Sequence, residues 1–544
     1  MCGIICIVSH IHDTSVDLLN KFHIFKKYIS NRGPDYLGIR SHSLETCNLL
    51  FAASVLWLQG KSMAEQPFED DKSVFVYNGD IFGGIPDNLR EEDGDTKLLF
   101  KMIQNSNNIP IVLSKIQGPY AFIYFDKIEL KLYFGRDIFG RRSLLIGKNH
   151  DELVLTSVAK RSLEYEFIEL PSIGTFCLDL KTNQLYIFPW KYRNKNFESK
   201  LFEIKTFLNK EIIIAKELSS EENNKYLTPS IEQLCLLGEI KNLESKKVFE
   251  ILLNNSDWLS NVIKLKSLLE EAIKNRIATQ PKYCKNCIKK RQNCNHSLIG
   301  VLFSGGIDCA VLALLADKFI DNARPIDLLN VAFDEVKSYQ TPDRLTGLQT
   351  LEELRKIRPY REWKFLEINV TQKELDEQRK QHIADLIYPL KTILDDSLGC
   401  ALWFASRGKQ ESIISPCRVL LVGMGADELF GGYTRHRAAF KKQSWLGLHN
   451  ALNEDWQNLS HRNLGRDDRI ISDHGRQLRT PYLDENVVEF VQGLNSWEKT
   501  YPSNDVPKGI GEKILLRSLA YYIGLKKAST WEKKSFTIWI KNSK

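Results

Sequence analysis

The first part of the chain alternates short apolar runs with turn residues, a pattern typical of β-strands. Helical spacing of apolar residues occurs between these runs at 17–29 and 95–104. The pattern therefore predicts a sheet-with-helices domain of the α+β class to about residue 190. Its strands are predicted at 2–8, 73–77, 121–125, 131–134 and 153–156.

From residue 298 onward the pattern changes to continuous apolar strands that alternate with helices. Such strands are typical of a parallel sheet covered on both faces, an α/β domain in which ligands bind beyond the carboxyl ends of the strands. Strands are predicted at 298–303, 327–333, 364–370 and 418–422, and helices at 309–320, 371–388 and 394–407.

Between these halves, residues 191–297 are rich in Lys, Asn and Glu, with one long helical pattern at 258–277. That composition favours a solvated connector with helical pieces. The sequence therefore predicts two folded units, 1–190 and 298–544, joined by 191–297.

Composition restricts the class of protein without naming its chemistry. The 544 residues are 43% hydrophobic, so whole-chain disorder is excluded, and the net charge of +7 is small for this length. Nucleic acid is not expected as a partner because of this small charge, and a membrane is not expected because no apolar run approaches the ~18 residues that cross a bilayer.

The start of the chain lacks the basic region of a signal peptide, and the 11 cysteines are an odd set. We therefore expect a cytosolic protein whose cysteines are thiols or ligands.

Cys2 directly follows the initiator Met and precedes Gly3. If Met1 is removed, the Cys2 thiol and its own α-amine share one residue, and that amine is a good base at neutral pH. The alternative is a small residue that opens a buried strand, a common position for a free cysteine.

Four further stretches follow Cys2 in a fixed order, and together they resemble the class II glutamine amidotransferase domain over about residues 2–190. The resemblance implies an N-terminal-nucleophile sandwich with Cys2 as the nucleophile. It also implies an oxyanion hole from the Asn78 side chain and the Gly79 N–H, and an ammonium site at Asp95. A plain hairpin turn also explains the Asn-Gly pair. The stretches are 31–35, 77–81, 94–96 and 135–140, which read NRGPD, YNGDI, GDT and GRDIFG.

In the second half, Ser304, Gly305 and Gly306 lie between a predicted strand and a predicted helix that contains Asp308. Two glycines let the backbone approach a ligand, and N–H groups at a helix start favour phosphate. A glycine-rich turn without a ligand is the alternative, and no Walker sequence occurs.

That loop resembles the pyrophosphate loop of ATP pyrophosphatases, with Cys309 in place of a final serine. The segments 423–433 and 479–484 then look like the synthetase domain of asparagine synthetase, over about 298–525. Three stretches, at 394–400, 462–469 and 483–486, resemble the asparagine synthetase domain-containing proteins, which we take as the family. The resemblance implies Mg²⁺ held by Asp308 and Asp427. It implies ATP and pyrophosphate binding by Ser304, Gly305, Gly306, Asp308, Gly425 and Asp427.

The chain departs from the synthetase pattern at several positions. Val55 stands where the family has an arginine for the glutamine carboxylate. Met424 and Gln477 replace two glutamates, and the distal lysine stretch is not recognisable, with Lys533 or Lys534 as its substitutes.

Cys284, Cys287, Cys294 and His296 form a cluster just before the phosphate loop. Four nitrogen and sulfur ligands suit a tetrahedral Zn²⁺ site, although the second pair is unusually short. A loop of reduced thiols is the alternative.

The resemblance implies glutamine-dependent, ATP-driven amide formation, with aspartate or another carboxylate as acceptor and AMP and pyrophosphate as products. The alternative is a binding or regulatory protein that keeps the fold and has lost the chemistry. In both cases the expected partners are small molecules.

Overall fold

The computed structural model describes residues 2–85, 94–106, 108–149, 152–161, 164–190, 196–215 and 228–532. Its first unit contains two packed β-sheets of six and seven strands, in the orders β10-β8-β9-β1-β3-β2 and β13-β12-β11-β7-β6-β5-β4. The strands are β1 (Gly3–Ser9), β2 (Tyr36–Ser43), β3 (Asn48–Val55), β4 (Phe68–Glu69), β5 (Ser73–Gly79), β6 (Tyr120–Asp126), β7 (Lys131–Arg136), β8 (Leu145–Asn149), β9 (Glu152–Thr156), β10 (Glu166–Glu169), β11 (Gly174–Asp179), β12 (Leu185–Pro189) and β13 (Ile212–Ile214).

Alternation along β1 explains how the two sheets and their helices form layers. Ile4 and Cys6 face the second sheet and share a core with Val74 and Val76 of β5. The intervening side chains point to the other face, against the first helix. The helices described in this unit are α1 (Ser15–Arg32), α2 (Asp95–Gln104), α3 (Ile109–Lys115) and α4 (Phe197–Leu208).

The aromatic outer face of the second sheet packs on α2 and α3. The unit is therefore a helix–sheet–sheet–helix sandwich, and the predicted α+β nucleophile sandwich is confirmed.

The second unit has a five-stranded sheet, all parallel, in the order β16-β15-β14-β19-β20. The predicted α/β parallel-sheet domain is confirmed. Its strands, and a small hairpin of β17 and β18, are β14 (Ile299–Leu302), β15 (Ile326–Ala332), β16 (Trp363–Asn369), β17 (Lys409–Gln410), β18 (Ile413–Ile414), β19 (Val419–Leu421) and β20 (Gln477–Arg479).

Fourteen α-helices are described from residue 228 onward, and none of the described helices is both long and apolar enough to cross a membrane. They are α5 (Ile231–Glu239), α6 (Ser245–Asn254), α7 (Ser256–Ala278), α8 (Ile307–Asp317), α9 (Pro342–Ile357), α10 (Gln372–Gln378), α11 (Ala384–Ile387), α12 (Ile393–Arg407), α13 (Ala426–Phe430), α14 (Thr434–Leu459), α15 (Gly465–Ser472), α16 (Glu485–Gly493), α17 (Ser496–Lys499) and α18 (Ile514–Tyr522).

The described parts of 191–297 differ from the solvated connector that their composition suggests. The strand β13 extends the second sheet beside β12, and α7 packs against α8 and α18. A buried stripe along α7 includes Val262, Leu265, Leu269 and Ile273. The opposite face of this helix carries Lys and Glu, which gives a packed helix the composition of a linker.

Candidate functional sites

Cys2 lies at the start of β1, in the middle of the first sheet, and is buried. Its backbone N donates a hydrogen bond to Asn78 Oδ1 at 3.0 Å, and Gln66 Nε2 lies 3.5 Å from its sulfur. Gln66 is itself fixed by Tyr77, whose N–H donates to Gln66 Oε1 and whose carbonyl accepts from Nε2. Burial raises the pKa of the Cys2 thiol.

The end of β5 brings a free donor to this thiol. Asn78 is fully buried, and among the described residues its Nδ2 has no hydrogen-bond partner. Gly79 follows, and a Cβ there would lie only 2.6 Å from the Pro119 carbonyl oxygen. A buried amide N–H₂ without a partner carries a desolvation cost, so Nδ2 is a candidate donor for a ligand oxygen.

Asp95 begins α2 and contacts the segment that follows β5. Its carboxylate accepts from Ile81 N at 3.1 Å and from Thr96 N at 2.7 Å. Burial and the nearby Asp80 carboxylate raise the pKa of Asp95 to about 7, although these hydrogen bonds lower it. Burial is the main cause of the raised pKa of Cys2, and electrostatic interaction with Asp95 adds to it, so the two side chains lie within electrostatic range of each other.

The glycine loop of the second unit connects β14 to α8 at the carboxyl edge of the parallel sheet. Gly305 has φ +80°, and a Cβ there would lie 2.4 Å from Gly347 N of α9. Gly306 N donates to Ser304 Oγ at 3.3 Å. The buried Cys309 Sγ donates to the Gly306 carbonyl and lies 3.8 Å from Ser304 Oγ, so this thiol contacts the loop itself.

Two carboxylates converge beside this loop. Asp308 is in the first turn of α8 and Asp427 in α13, which follows β19, the neighbour of β14. Lys513 Nζ lies 2.7 Å from both carboxyl oxygens of Asp308 and 2.7 Å from Asp427 Oδ1. Burial lowers the pKa of Lys513, but the two carboxylates outweigh it and the pKa is raised. Gly425, with φ +88°, makes the turn that places Asp427 there.

The four predicted metal ligands before the phosphate loop also lie together. The ligand atoms of Cys284, Cys287, Cys294 and His296 are all within 4.8 Å of one another. His296 Nδ1 lies 3.4 Å from Cys284 Sγ and 3.6 Å from Cys287 Sγ. Burial raises the pKa of the Cys294 thiol, but the backbone of Cys284 and His296 lowers it, to about 6 overall.

Buried charged groups connect the two units between the Cys2 and Asp308 regions. Asp80 pairs with Arg142 at 2.9 Å and with Arg479 of β20 at 3.0 Å. Asp468 of α15 pairs with Arg32 at 2.6 Å and with Arg142 at 3.3 Å. All five side chains are buried, so the two carboxylates connect the units through buried ion pairs.

The whole chain matches known proteins end to end. An asparagine synthetase domain-containing protein of Drosophila melanogaster is 36% identical over 97% of this chain and 95% of its own length. The chain belongs to the asparagine synthetase domain-containing proteins. Asparagine synthetase domain-containing protein 1 of Homo sapiens is 35% identical over 98% of this chain and 94% of the relative.

Two family models divide the chain of this asparagine synthetase domain-containing protein. The model described as glutamine amidotransferase domain matches residues 1–225, and that described as asparagine synthase matches 286–447 and 440–538. A Methanocaldococcus jannaschii protein named as a glutamine-hydrolysing asparagine synthetase is 25% identical over 82% of this chain and 69% of its own length. A solved glutamine phosphoribosylpyrophosphate amidotransferase from B. subtilis is 13% identical over 76% of this chain and 95% of its own length. Its TM-score of 0.28 is too low to support a structural argument.

The positions that depart from the synthetase pattern have apolar or paired surroundings in this family member. Val55 ends β3 and is buried between the two sheets. Met424 packs against Leu483. Gln477 Nε2 donates to Asp80 Oδ2 at 2.6 Å, a bond that a carboxylate at this position would not make. Lys533 and Lys534 lie outside the described residues.

Sequence reasoning missed Lys513, Asp80 and Arg142. Lys513 is 205 residues from Asp308 along the chain, and only the fold brings them together. The segment around Lys513 belongs to none of the motifs that carry the family resemblance. The sequence indicated only that a basic residue precedes the last long helix.

Proposed function

We propose that this protein hydrolyses glutamine at Cys2 and uses the ammonia for ATP-dependent amidation of a carboxylate, with aspartate as the expected acceptor. The observation that carries the proposal is the unpartnered buried amide of Asn78 beside the Cys2 thiol. The two family models support the coarser pairing of a glutamine amidotransferase with an asparagine synthase domain.

At the first site, removal of Met1 would turn the Cys2 nitrogen into an α-amine held by Asn78 Oδ1. The amine takes the thiol proton, and the sulfur attacks the side-chain carbonyl carbon of glutamine. Asn78 Nδ2 and the Gly79 N–H donate to the oxyanion that forms. Ammonia leaves, and water then hydrolyses the thioester to glutamate. Asp95 pairs with the substrate ammonium group.

At the second site, a carboxylate oxygen attacks the α-phosphorus of ATP and pyrophosphate leaves. Ser304, Gly305 and Gly306 offer a hydroxyl and backbone N–H groups to the departing phosphates, at the start of α8. Gly425 shapes the neighbouring turn. Ammonia then attacks the carbonyl carbon of the acyl adenylate and AMP leaves, which requires that water be excluded from this site.

The Asp308 and Asp427 pair fits Mg²⁺. Both carboxylates contact one Lys513 ammonium group, so their oxygens already converge on a common cation position. Carboxylate oxygens and phosphates are the ligands this ion prefers, and when bound it neutralises charge on the leaving pyrophosphate. Lys513 would then be free to turn to the same phosphates.

A steady-state assay of the purified full-length chain tests the proposal. Glutamate release from glutamine and pyrophosphate release from ATP with Mg²⁺ are measured, with aspartate and other carboxylates as acceptors and ammonia or glutamine as nitrogen source. Cys2→Ala should abolish glutamate release and keep ammonia-dependent pyrophosphate release, whereas Asp427→Asn should do the reverse. Cys47→Ser, at a partly exposed thiol, is the matched control. No pyrophosphate release with any carboxylate and no Cys2-dependent glutamate release would overturn the proposal.

Val55 and Met424 favour a second candidate, a binding or regulatory protein on the same fold. Without an arginine to pair with the glutamine carboxylate, the free energy of glutamine binding should be less favourable by about 1.5–3 kcal/mol. The Met424 side chain cannot act as a general acid or base, and general acid–base catalysis accelerates a reaction by about 10²–10⁴-fold. Calorimetric binding of ATP or glutamine without turnover in the assay above would select this candidate. Turnover only with a carboxylate other than aspartate would instead identify Met424 as part of a reshaped acceptor pocket.

A further inference from the structure

The cluster of Cys284, Cys287, Cys294 and His296 has the dimensions of a metal site. In a tetrahedral zinc site with Zn–S of about 2.3 Å and Zn–N of about 2.0–2.1 Å, a sulfur and a nitrogen lie about 3.5 Å apart. His296 Nδ1 lies 3.4 Å from Cys284 Sγ and 3.6 Å from Cys287 Sγ. The widest pair, within 4.8 Å, needs to close by only about an ångström to reach the sulfur–sulfur edge of the same tetrahedron.

The backbone around the first pair forms a tight turn that aims both thiols at one point. Cys287 N and Ile288 N both donate to the Cys284 carbonyl, at 3.1 and 3.0 Å. This turn brings the two sulfurs to the same histidine nitrogen, Nδ1 of His296. Three thiols and one imidazole are soft and borderline ligands that select zinc over the oxygen-preferring Mg²⁺ of the ATP site.

We propose that Cys284, Cys287, Cys294 and His296 bind one structural zinc ion. All four positions of the tetrahedron are filled by protein, so no open position remains for a water or substrate, and the role is structural and not catalytic. The site is separate from both proposed reaction centres and does not depend on either being active.

The turn that carries Cys284 and Cys287 is hydrogen-bonded to the second unit. Lys285 N donates to the Pro416 carbonyl at 2.8 Å, and Lys285 Nζ donates to the His474 carbonyl at 2.7 Å. Arg324 donates to the carbonyl of His296. The ligand-bearing loop is therefore anchored on both sides of the cluster to the edge of the parallel-sheet domain.

The other side of the loop contacts Trp57, which lies in the segment beside Asp80 and the proposed glutamine site. Tyr283 lies 6.3 Å, ring to ring, from Trp57, and the Arg291 guanidinium lies 5.5 Å from the same indole. Trp57 Nε1 donates to the Gln59 carbonyl, and Gln59 Nε2 donates to Asp80 Oδ1. Zinc would thus hold the loop that fixes residues 57–60 beside the first site.

Metal analysis of the full-length chain tests the site directly. After dialysis the wild-type protein should hold one zinc ion per chain, and Cys287→Ser and Cys294→Ser should each lose most of it. Cys235→Ser removes an exposed thiol of α5 outside the cluster and should retain full zinc. If the cluster variants do not fold, replacement of zinc by Co²⁺ in the wild type should give the visible ligand-field bands of a tetrahedral thiolate site. Wild-type protein with neither zinc nor these bands would overturn the proposal.

Hydrogen exchange tests the supporting role without any activity measurement. A chelator should raise amide exchange at 281–297 and at 56–60, relative to the same protein in excess zinc. Zinc loss that leaves exchange at 56–60 unaltered would remove the supporting role and leave only the metal site.

Discussion

At the scale of single residues, Asn78 uses the two ends of one amide for different purposes. Its Oδ1 accepts a hydrogen bond from the Cys2 nitrogen, so the side chain cannot rotate without breaking that bond, and among the described residues the buried Nδ2 has no hydrogen-bond partner. Preorganised donors of this kind stabilise an oxyanion because no reorganisation is needed during the reaction.

We predict that Asn78→Ala lowers kcat for glutamate release by about 10²–10³, with a small change in KM, because it removes a donor to the transition state. Initial rates over a glutamine series measure both constants. Asn254→Ala changes an exposed asparagine at the end of α6 and should have the kcat and KM of the wild type. An Asn78→Ala enzyme with a normal kcat would place the oxyanion elsewhere.

Asp95 predicts a pH dependence of glutamine binding. Its pKa is raised to about 7 by burial and by Asp80, so the carboxyl becomes ionised only as the pH rises through neutrality. Only the ionised form pairs with an ammonium group, and below this pKa the ionised fraction falls about tenfold per pH unit. Calorimetric titration of Cys2→Ala with glutamine, between acid and alkaline pH, should show tighter binding as the pH rises through about 7.

The Cys2→Ala background removes the thiol, whose own raised pKa would otherwise add a pH dependence. Adding Asp95→Asn to this background should weaken glutamine binding and flatten its pH profile. Affinity that is independent of pH in Cys2→Ala would contradict the role given to Asp95.

At the scale of elements, the sequence predicted a helix, strand or turn correctly where the residues of that element and its immediate neighbours define it. The apolar strand and Gly-Gly turn at β14 and α8, and the helix at Asp95, follow from neighbours along the chain. Contacts between distant segments carry no such signal. Lys513 between Asp308 and Asp427, and Asp80 between Arg142 and Arg479, depend on the sheet order, which side-chain spacing does not encode.

The glycine loop gives a prediction at this scale. Gly305→Ala puts a Cβ 2.4 Å from Gly347 N in a backbone with φ +80°. Strain of this kind costs about 1–3 kcal/mol and is relieved by moving the loop, so ATP affinity should fall by about tenfold or more. Binding of ATP with Mg²⁺ by calorimetry measures the change.

Gly238→Ala is a matched control for this substitution. Gly238 lies in α5, where an added Cβ meets nothing within 4 Å. This change should leave ATP binding unaltered and raise thermal stability slightly, because Ala favours the helix over Gly by about 1 kcal/mol. Equal ATP affinity in both variants would mean that the β14–α8 loop does not hold the phosphates.

At the scale of the whole molecule, the buried charges at the interface join the two units into one folding system. Burial alone would raise the pKa values of Asp80 and Asp468, but paired arginines outweigh it and lower both. Each lowered pKa contributes stability that is present above the ordinary carboxyl pKa and is lost as the pH falls through the folded-state value. The interface between the two units should therefore lose stability early as the pH falls.

Asp468→Asn tests this coupling at neutral pH. It leaves Arg32 and Arg142 buried with one carboxylate fewer, and losing one partner of a buried pair costs about 3–5 kcal/mol. Differential scanning calorimetry should show one unfolding transition for the wild type. The variant should show two, because the units then melt at separate temperatures. Glu250→Gln breaks the exposed pair with Lys246 and should leave the trace unchanged, since such pairs contribute at most about 1 kcal/mol. A single, unshifted transition in Asp468→Asn would show that apolar contacts alone join the units.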